Sequence, residues 1–403
     1  MAAVGIDSIG FYTPGFYIDL RELAEVRGVD PDKYSIGIGQ DEQAVAPSNQ
    51  DIVTMGAAAA VKALYYSAQY CSAQPSRQSQ PDDIGLVIVG TESGVDASKA
   101  SALFIHGLIG LSPWCRCIEI KEACFGGTAG LMSACDYVRT HPGKRALVIA
   151  SDIARYGLGT PGEVTQGAGS VAMVVSEDPH ILAVEPYTTA YSYSISDFWR
   201  PVYTDSAIAR GRYSTEQYIG FFRKVWDRFS AETGLTLDDF AAMCFHLPYT
   251  KMGMKAFSSI LSTVGSEVRG QLEQRYHSSI AYSRRVGNIY SGSLYLGLLS
   301  LLDNDQSLAP GDRIGFFSYG SGAVGELFTG ILQPGFEARL HARHNKKLLD
   351  QRHKLDIDEY EQIFTNPIPY SSEDSTADTK HADPRNPFIL KEVKDQERIY
   401  GRQ

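Results

Sequence analysis

The chain has no apolar run approaching the ~18 residues a membrane-crossing helix requires, few cysteines, and no surplus of basic charge. Each shortage excludes something. The first residues, MAAVGIDSIGFYTPG, lack the basic-then-apolar layout of a signal peptide, so the expected compartment is the cytoplasm. Six cysteines, at positions 71, 115, 117, 124, 135 and 244 of 403, are too few for a disulfide framework. Cys115-x-Cys117 has no second C-x-C or histidine pair beside it, and no metal is expected there. With 37 Lys and Arg against 47 Asp and Glu, the net charge of −10 argues against a nucleic-acid footprint. A local basic cluster for an anionic ligand stays compatible with that balance.

What the chain does have is buried-sheet patterning. Ile84 to Gly90, Ala146 to Ala150, Val171 to Val175 and Ile314 to Phe317 are near-continuously apolar, as parallel strands covered on both faces are. Helical patterns lie between them at Asp51 to Ala68, Gly126 to Thr140, Thr215 to Glu232 and Ser291 to Leu302. The expected class is α/β, with helices covering both sides of buried sheets. Ser72 to Asp83 reads as a polar surface excursion, and 366–403 as a flexible or surface-wrapping polar tail.

The order of elements repeats. A strand ending at Glu92, a small-residue helix start at Cys124 and a strand ending at Asp152 are echoed by a strand ending at His246, a helix start after Asn288 and a strand ending at Ser318. The spacing between matching points drifts by only about a dozen residues, which suggests an internal duplication. An approximate two-fold axis would gather Glu92, Cys124, His246 and Asn288 in one place.

Cys124 stands where a strand meets a helix rich in small residues, Gly126, Gly127, Ala129 and Gly130. The free N–H groups and positive end of such a helix favour thiolate over thiol, so a nucleophile is expected. Position alone leaves a buried, inert cysteine equally open. Glu92 follows a buried strand, where poor hydration raises a carboxyl pKa towards the working range of a general base. Of nine histidines, His246 stands out by following a buried-strand pattern.

Nine segments, in order along the chain to about residue 330, carry a family resemblance: GIGQ (37–40), GTESGVDASKA (90–100), EIKEACFGGTAGL (119–131), SDIARYG (151–157), TQGAGSVAMVV (165–175), DFWRP (197–201), FHLPYTKMGMKA (245–256), YSRRVGNIYSGSLYLGL (282–298) and FSYGSGAVGE (317–326). The chain resembles the 3-hydroxy-3-methylglutaryl-CoA synthases of the bacterial mevalonate type. The resemblance implies a thiolase-like fold of two pseudo-symmetric halves in five αβαβα layers, divided as 1–175, carrying Glu92 and Cys124, and 176–365, carrying His246 and Asn288, with 366–403 as the tail.

It also implies a reaction. Acetyl-CoA, acetoacetyl-CoA and water would give 3-hydroxy-3-methylglutaryl-CoA and CoA, with no cofactor beyond the coenzyme A of the substrates. Cys124 would carry the acetyl group, Glu92 would act as base, and His246 would hydrogen-bond the acetoacetyl ketone and supply its proton. Asp152, Tyr156, Asp197, Asn288, Tyr319 and Ser321 match positions lining the site, and the Tyr319 to Gly322 turn would offer a second oxyanion donor beside the Cys124 N–H. Lys251 and Lys255 would face the CoA phosphates, with Arg284 and Arg285 adding to the field, and a homodimer is implied. Two other readings are a polyketide β-branching synthase acting on carrier-bound substrates and a non-catalytic thiolase-fold scaffold.

Overall fold

The structure, a computed structural model, describes residues 2–71, 83–368 and 371–403. The polar excursion read at Ser72 to Asp83 lies, except for Asp83, outside the described residues. The frame is a nine-stranded sheet of β1 (Val4–Tyr12), β2 (Ile84–Gly90), β3 (Arg116–Ile120), β4 (Arg145–Ala154), β5 (Gly167–Glu177), β6 (Leu182–Ser192), β7 (Ala242–Phe245), β8 (Arg313–Gly320) and β9 (Val324–Leu332). Their spatial order is β7-β8-β9-β6-β1-β5-β4-β2-β3.

That order contains the duplication. In the first half β2 and β4 are parallel, β4 and β5 antiparallel, and β5 and β1 antiparallel. In the second half β7 and β8, β8 and β9, and β9 and β6 repeat those senses in the same sequence. Within the sheet the halves join at Gly5 with Ala183 and Ile6 with Leu182. The division placed at residue 175 falls just inside β5, which runs to Glu177. β3 is an addition to the first half and forms one edge of the sheet, β7 forming the other.

Two helices fill the centre. Gly126–Thr140 packs on β2 and β4, and Ser293–Asn304, buried along almost its whole length, packs on β7 and β8. They touch each other: Tyr295 Oη donates to Thr128 Oγ1 (2.9 Å), and a Cβ on Gly127 would sit 2.6 Å from the Ser291 carbonyl oxygen. Small residues are needed there because two helices and a strand end compete for one space. Ile52–Cys71 covers β1, β4 and β5, and Gly211–Thr233 covers β6 and β9, which completes the layers.

The expectation for 366–403 needs correction. Phe388–Lys394 and Glu397–Arg402 form an antiparallel hairpin, with Ser375–Thr376 on its edge. Phe388 and Leu390 are 2% and 0% exposed, and Phe388 joins the main core. Arg398 Nη1 and Tyr400 Oη donate to Asp51 Oδ2 (3.2 and 2.6 Å), whose Oδ1 accepts the N–H groups of Val53 and Thr54 at the start of the Ile52–Cys71 helix. The hairpin thereby clasps a helix cap. Leu390→Ala is expected to lower unfolding stability by about 2–5 kcal/mol, read by denaturant titration. An unchanged midpoint would contradict the docking.

Candidate active site

Cys124 lies in a tight turn between β3 and the Gly126–Thr140 helix. Ala123 takes a left-handed backbone conformation (φ +42°), which costs a non-glycine residue about 1–2 kcal/mol and persists only where surroundings hold it. What holds it is β8. A Cβ on Gly320 would lie 2.6 Å from both the Glu122 carbonyl oxygen and Phe125 Cβ. Across the turn, a Cβ on Gly90 would lie 2.4 Å from the carbonyl carbon of Gly126. The nucleophile's turn is thus clamped between the last residues of β2 and β8, one strand from each half.

The clamp brings Cys124 Sγ to 3.2 Å from Glu92 Oε1. Burial, and then the neighbouring Asp152 carboxyl, lift Glu92 to a pKa of about 8. The thiolate expected from the helix start is not what the surroundings favour. Burial, followed by the Glu92 carboxyl, pushes the Cys124 thiol well above its ordinary value. A helix end offers about half a charge; it does not offset full desolvation beside a carboxyl group. Cys124 therefore rests as a thiol bonded to the group able to take its proton.

Asp152 is fully buried and does not line a substrate space. It accepts from Thr91 Oγ1 (2.8 Å) and from the N–H groups of Glu92 (2.9 Å), Ser93 (3.1 Å) and Ser291 (3.0 Å), and from Ser291 Oγ. One carboxyl group fixes the Glu92 loop of the first half to the helix start of the second.

Asp197 plays a matching part. Buried completely, it accepts from Tyr319 Oη (2.8 Å) and the Gly322 N–H (2.9 Å), so it braces the Tyr319 to Gly322 turn. The Tyr319 ring belongs to an aromatic cluster with Tyr218 and Phe221. Ser321 sits half-buried in the turn itself. Asn288 is buried, and its Oδ1 accepts from the Tyr290 N–H (2.8 Å) and Ser293 Oγ (2.9 Å). Its NH2 end is the part available to donate.

His246 caps β7 as Glu92 follows β2. Its N–H donates to the Phe317 carbonyl (2.8 Å), and its carbonyl accepts from Tyr218 Oη (2.7 Å). The ring is buried, Nδ1 has no partner among the described residues, and desolvation pulls the pKa down to about 3. His246 is therefore neutral, a hydrogen-bond donor without a spare proton. No polar contact joins it to Cys124 or Glu92 among the described residues.

Some of the site escaped sequence reasoning. Tyr290 and Phe198 form an apolar cluster with Cys124, and Tyr156 stands against both (ring centroids 6.4 and 5.9 Å). Arg200, within the DFWRP segment, donates to the Glu92 carbonyl oxygen and brings a positive charge near the carboxyl. A cavity of about 400 Å³ borders Ser93, Arg200 and Tyr290. Lys251 and Lys255 are exposed on one face of the Thr250–Phe257 helix, and Lys255 Nζ donates to Tyr249 Oη (2.9 Å). Arg284 and Arg285 are instead taken up by Asp41, and by Glu42 and Asp350.

The Glu92 shift sets a stability test. Its folded pKa lies above the ordinary glutamate value of 4.5, so its contribution is present below pH 4.5 and is lost as pH rises to about 8. Glu92→Gln should gain in melting temperature over the wild type across that window and level off above it. Parallel curves at all pH values would contradict a buried, lifted carboxyl.

The family model described as hydroxymethylglutaryl-coenzyme A synthase N terminal matches residues 1–180, and that described as its C terminal matches residues 266–398. The chain is 48% identical to a hydroxymethylglutaryl-CoA synthase of Enterococcus faecalis, across 91% of this chain and 92% of that one. A crystal structure of HMG-CoA synthase complexed with CoA superposes with a TM-score of 0.91 at 42% identity, covering all of both chains. Similarity to the polyketide 3-hydroxy-3-methylglutaryl-ACP synthase PksG of Bacillus subtilis is lower, 32% across 90% of this chain and 88% of that one.

Proposed function

Because the chain belongs to the hydroxymethylglutaryl-coenzyme A synthase family, we propose that Cys124, Glu92 and His246 carry the steps of its reaction. The enzyme is an acyltransferase that condenses acetyl-CoA with acetoacetyl-CoA and water to 3-hydroxy-3-methylglutaryl-CoA and CoA, a step towards mevalonate. The observation that supports the division of labour is the Cys124–Glu92 contact of 3.2 Å.

Acetyl transfer begins with Cys124 Sγ attacking the acetyl-CoA carbonyl as its proton passes to the Glu92 carboxylate. The oxyanion is met by the Cys124 N–H and an N–H of the Tyr319 to Gly322 turn, which Asp197 holds in place. Collapse expels CoA, which recovers the proton from Glu92. Condensation follows when the Glu92 carboxylate takes a proton from the acetyl methyl group. The enolate attacks the ketone carbon of acetoacetyl-CoA, and neutral His246 donates a hydrogen bond to the oxygen as it becomes alkoxide, with the Asn288 NH2 orienting the acetoacetyl group. The alkoxide then takes up the proton that Glu92 removed from the methyl group, and water cleaves the Cys124 thioester, its hydroxyl going to the acyl carbon and its other hydrogen to Cys124 Sγ.

Tyr156, Tyr290 and Phe198 keep water from the acetyl-cysteine during this sequence. Asp152 acts through Glu92 and Asp197 through the turn, so both are positioning residues. Lys251 and Lys255 receive the CoA phosphates. A homodimer and the absence of any cofactor beyond CoA rest on the family alone, and the cytoplasm as compartment on the N-terminal residue pattern. Among the described residues no helix is long and apolar enough to cross a membrane.

Intact mass after brief incubation with acetyl-CoA alone tests the reading. One acetyl group should appear on the wild type and none on Cys124→Ser; Glu92→Gln should lose condensation by roughly 10²–10⁴-fold. No adduct on folded wild type, with transfer from an acetylated carrier protein instead, would favour the polyketide reading. His246→Ala should still acetylate and fail to condense. Loss of acetylation in that variant would contradict its assigned role.

A further inference from the structure

Hydrolysis of the Cys124 thioester needs a water where acetyl transfer and condensation need none. Cys124 packs with Ala154, Phe198, Ala207 and Tyr290, all at most 9% exposed. Of these residues Tyr290 alone also borders the cavity of about 400 Å³. That cavity is lined in part by Ser48, Gln50, Asp51, Ser93 and Asp205, polar groups able to hold water. One side chain therefore touches both the dry pocket and a polar space.

Its hydroxyl supplies an independent observation. Tyr290 is 2% exposed, and no group among the described residues meets its Oη in hydrogen-bond geometry. A buried hydroxyl without a partner is destabilising, and phenylalanine would fill the same space without one. The backbone is unusual as well. Its φ of +41° is rare for a bulky residue, and the Tyr290 N–H is held by Asn288 Oδ1 (2.8 Å). Packing accounts for the ring; a hydrogen-bonding group that arrives during turnover accounts for the hydroxyl.

We propose that Tyr290 admits and positions the water that hydrolyses the hydroxymethylglutaryl–Cys124 thioester. The assignment rests on the proposed roles of Cys124 and Glu92. The water donates one hydrogen bond to Tyr290 Oη and one to the Glu92 carboxylate, which leaves a lone pair for the acyl carbon. As the water oxygen bonds to that carbon, one proton passes to Glu92. The carbon–sulfur bond then breaks, Glu92 returns the proton to Cys124 Sγ, and the new carboxylic acid releases its own proton to solvent. Before condensation the ring is a wall between the cavity and the acetyl-cysteine. Asn288 links the two states, because its NH2 end meets the acetoacetyl group while its Oδ1 holds the Tyr290 backbone.

The test follows the full-length protein by rapid acid quench and intact mass, with acetyl-CoA and acetoacetyl-CoA both present. Tyr290→Phe keeps the ring and removes the hydroxyl. It should acetylate Cys124 at the wild-type rate, lose roughly tenfold or more in kcat, and accumulate the adduct in which Cys124 carries hydroxymethylglutaryl-CoA. Tyr290→Ala removes the wall, and with acetyl-CoA alone it should hydrolyse its acetyl-enzyme several-fold faster than the wild type. Wild-type kcat without the adduct in Tyr290→Phe would overturn the proposal, and so would equal slowing of acetylation and turnover, the mark of a general distortion. An acetyl-enzyme as long-lived in Tyr290→Ala as in the wild type would overturn it too. Absence of acetyl-enzyme in the wild type would instead sink the underlying reaction, so the two failures read differently.

Discussion

The carboxyl group of Asp152 is the joint of this molecule. Its donors come from Thr91, Glu92 and Ser93 at the end of β2 and from Ser291 at the start of a central helix of the other half. The halves also meet at a two-pair strand contact, along their central helices and through ion pairs such as Arg284 with Asp41. A buried carboxylate of this kind is stable only while every donor stays in place. The same group that fixes the Glu92 loop also raises the Glu92 pKa, so one burial event sets both position and acidity.

The Cys124–Glu92 pair follows from this joint. With Glu92 held and lifted, and with the Ala123 turn clamped by Gly320, the thiol is placed against its own base in a dry pocket. Reactivity then depends on proton transfer within the pair rather than on a standing thiolate. His246, made neutral by the same dryness, suits an oxygen that gathers charge only as the bond forms.

Much of this was legible in the sequence. Strands buried on both faces write continuous apolar runs, and Ile84–Gly90 is observed with the predicted bounds. The duplicated order placed Glu92 and His246 at matching strand ends. The hairpin was hidden because Phe388 and Leu390 are its fully buried residues on a short strand that also carries Lys391, Glu392 and Lys394, and what buries them is distant in sequence. Asp152 and Asp197 read as site-lining because their types and places match, yet each also holds a backbone N–H from far along the chain, Ser291 for Asp152 and Gly322 for Asp197. The thiolate expectation failed for a related reason: a helix start shows in sequence, whereas a carboxyl group brought from residue 92 does not.

The central claim is that burial, and then the neighbouring Asp152 carboxyl, raise the pKa of Glu92. The direct measurement is the pH profile of hydrogen–deuterium exchange into the methyl group of the acetyl-enzyme, without acetoacetyl-CoA, in the wild type and in Asp152→Asn. The wild-type rate should rise through about pH 8, and removal of the neighbouring charge should move that rise to lower pH. A profile unmoved in folded Asp152→Asn would contradict the account.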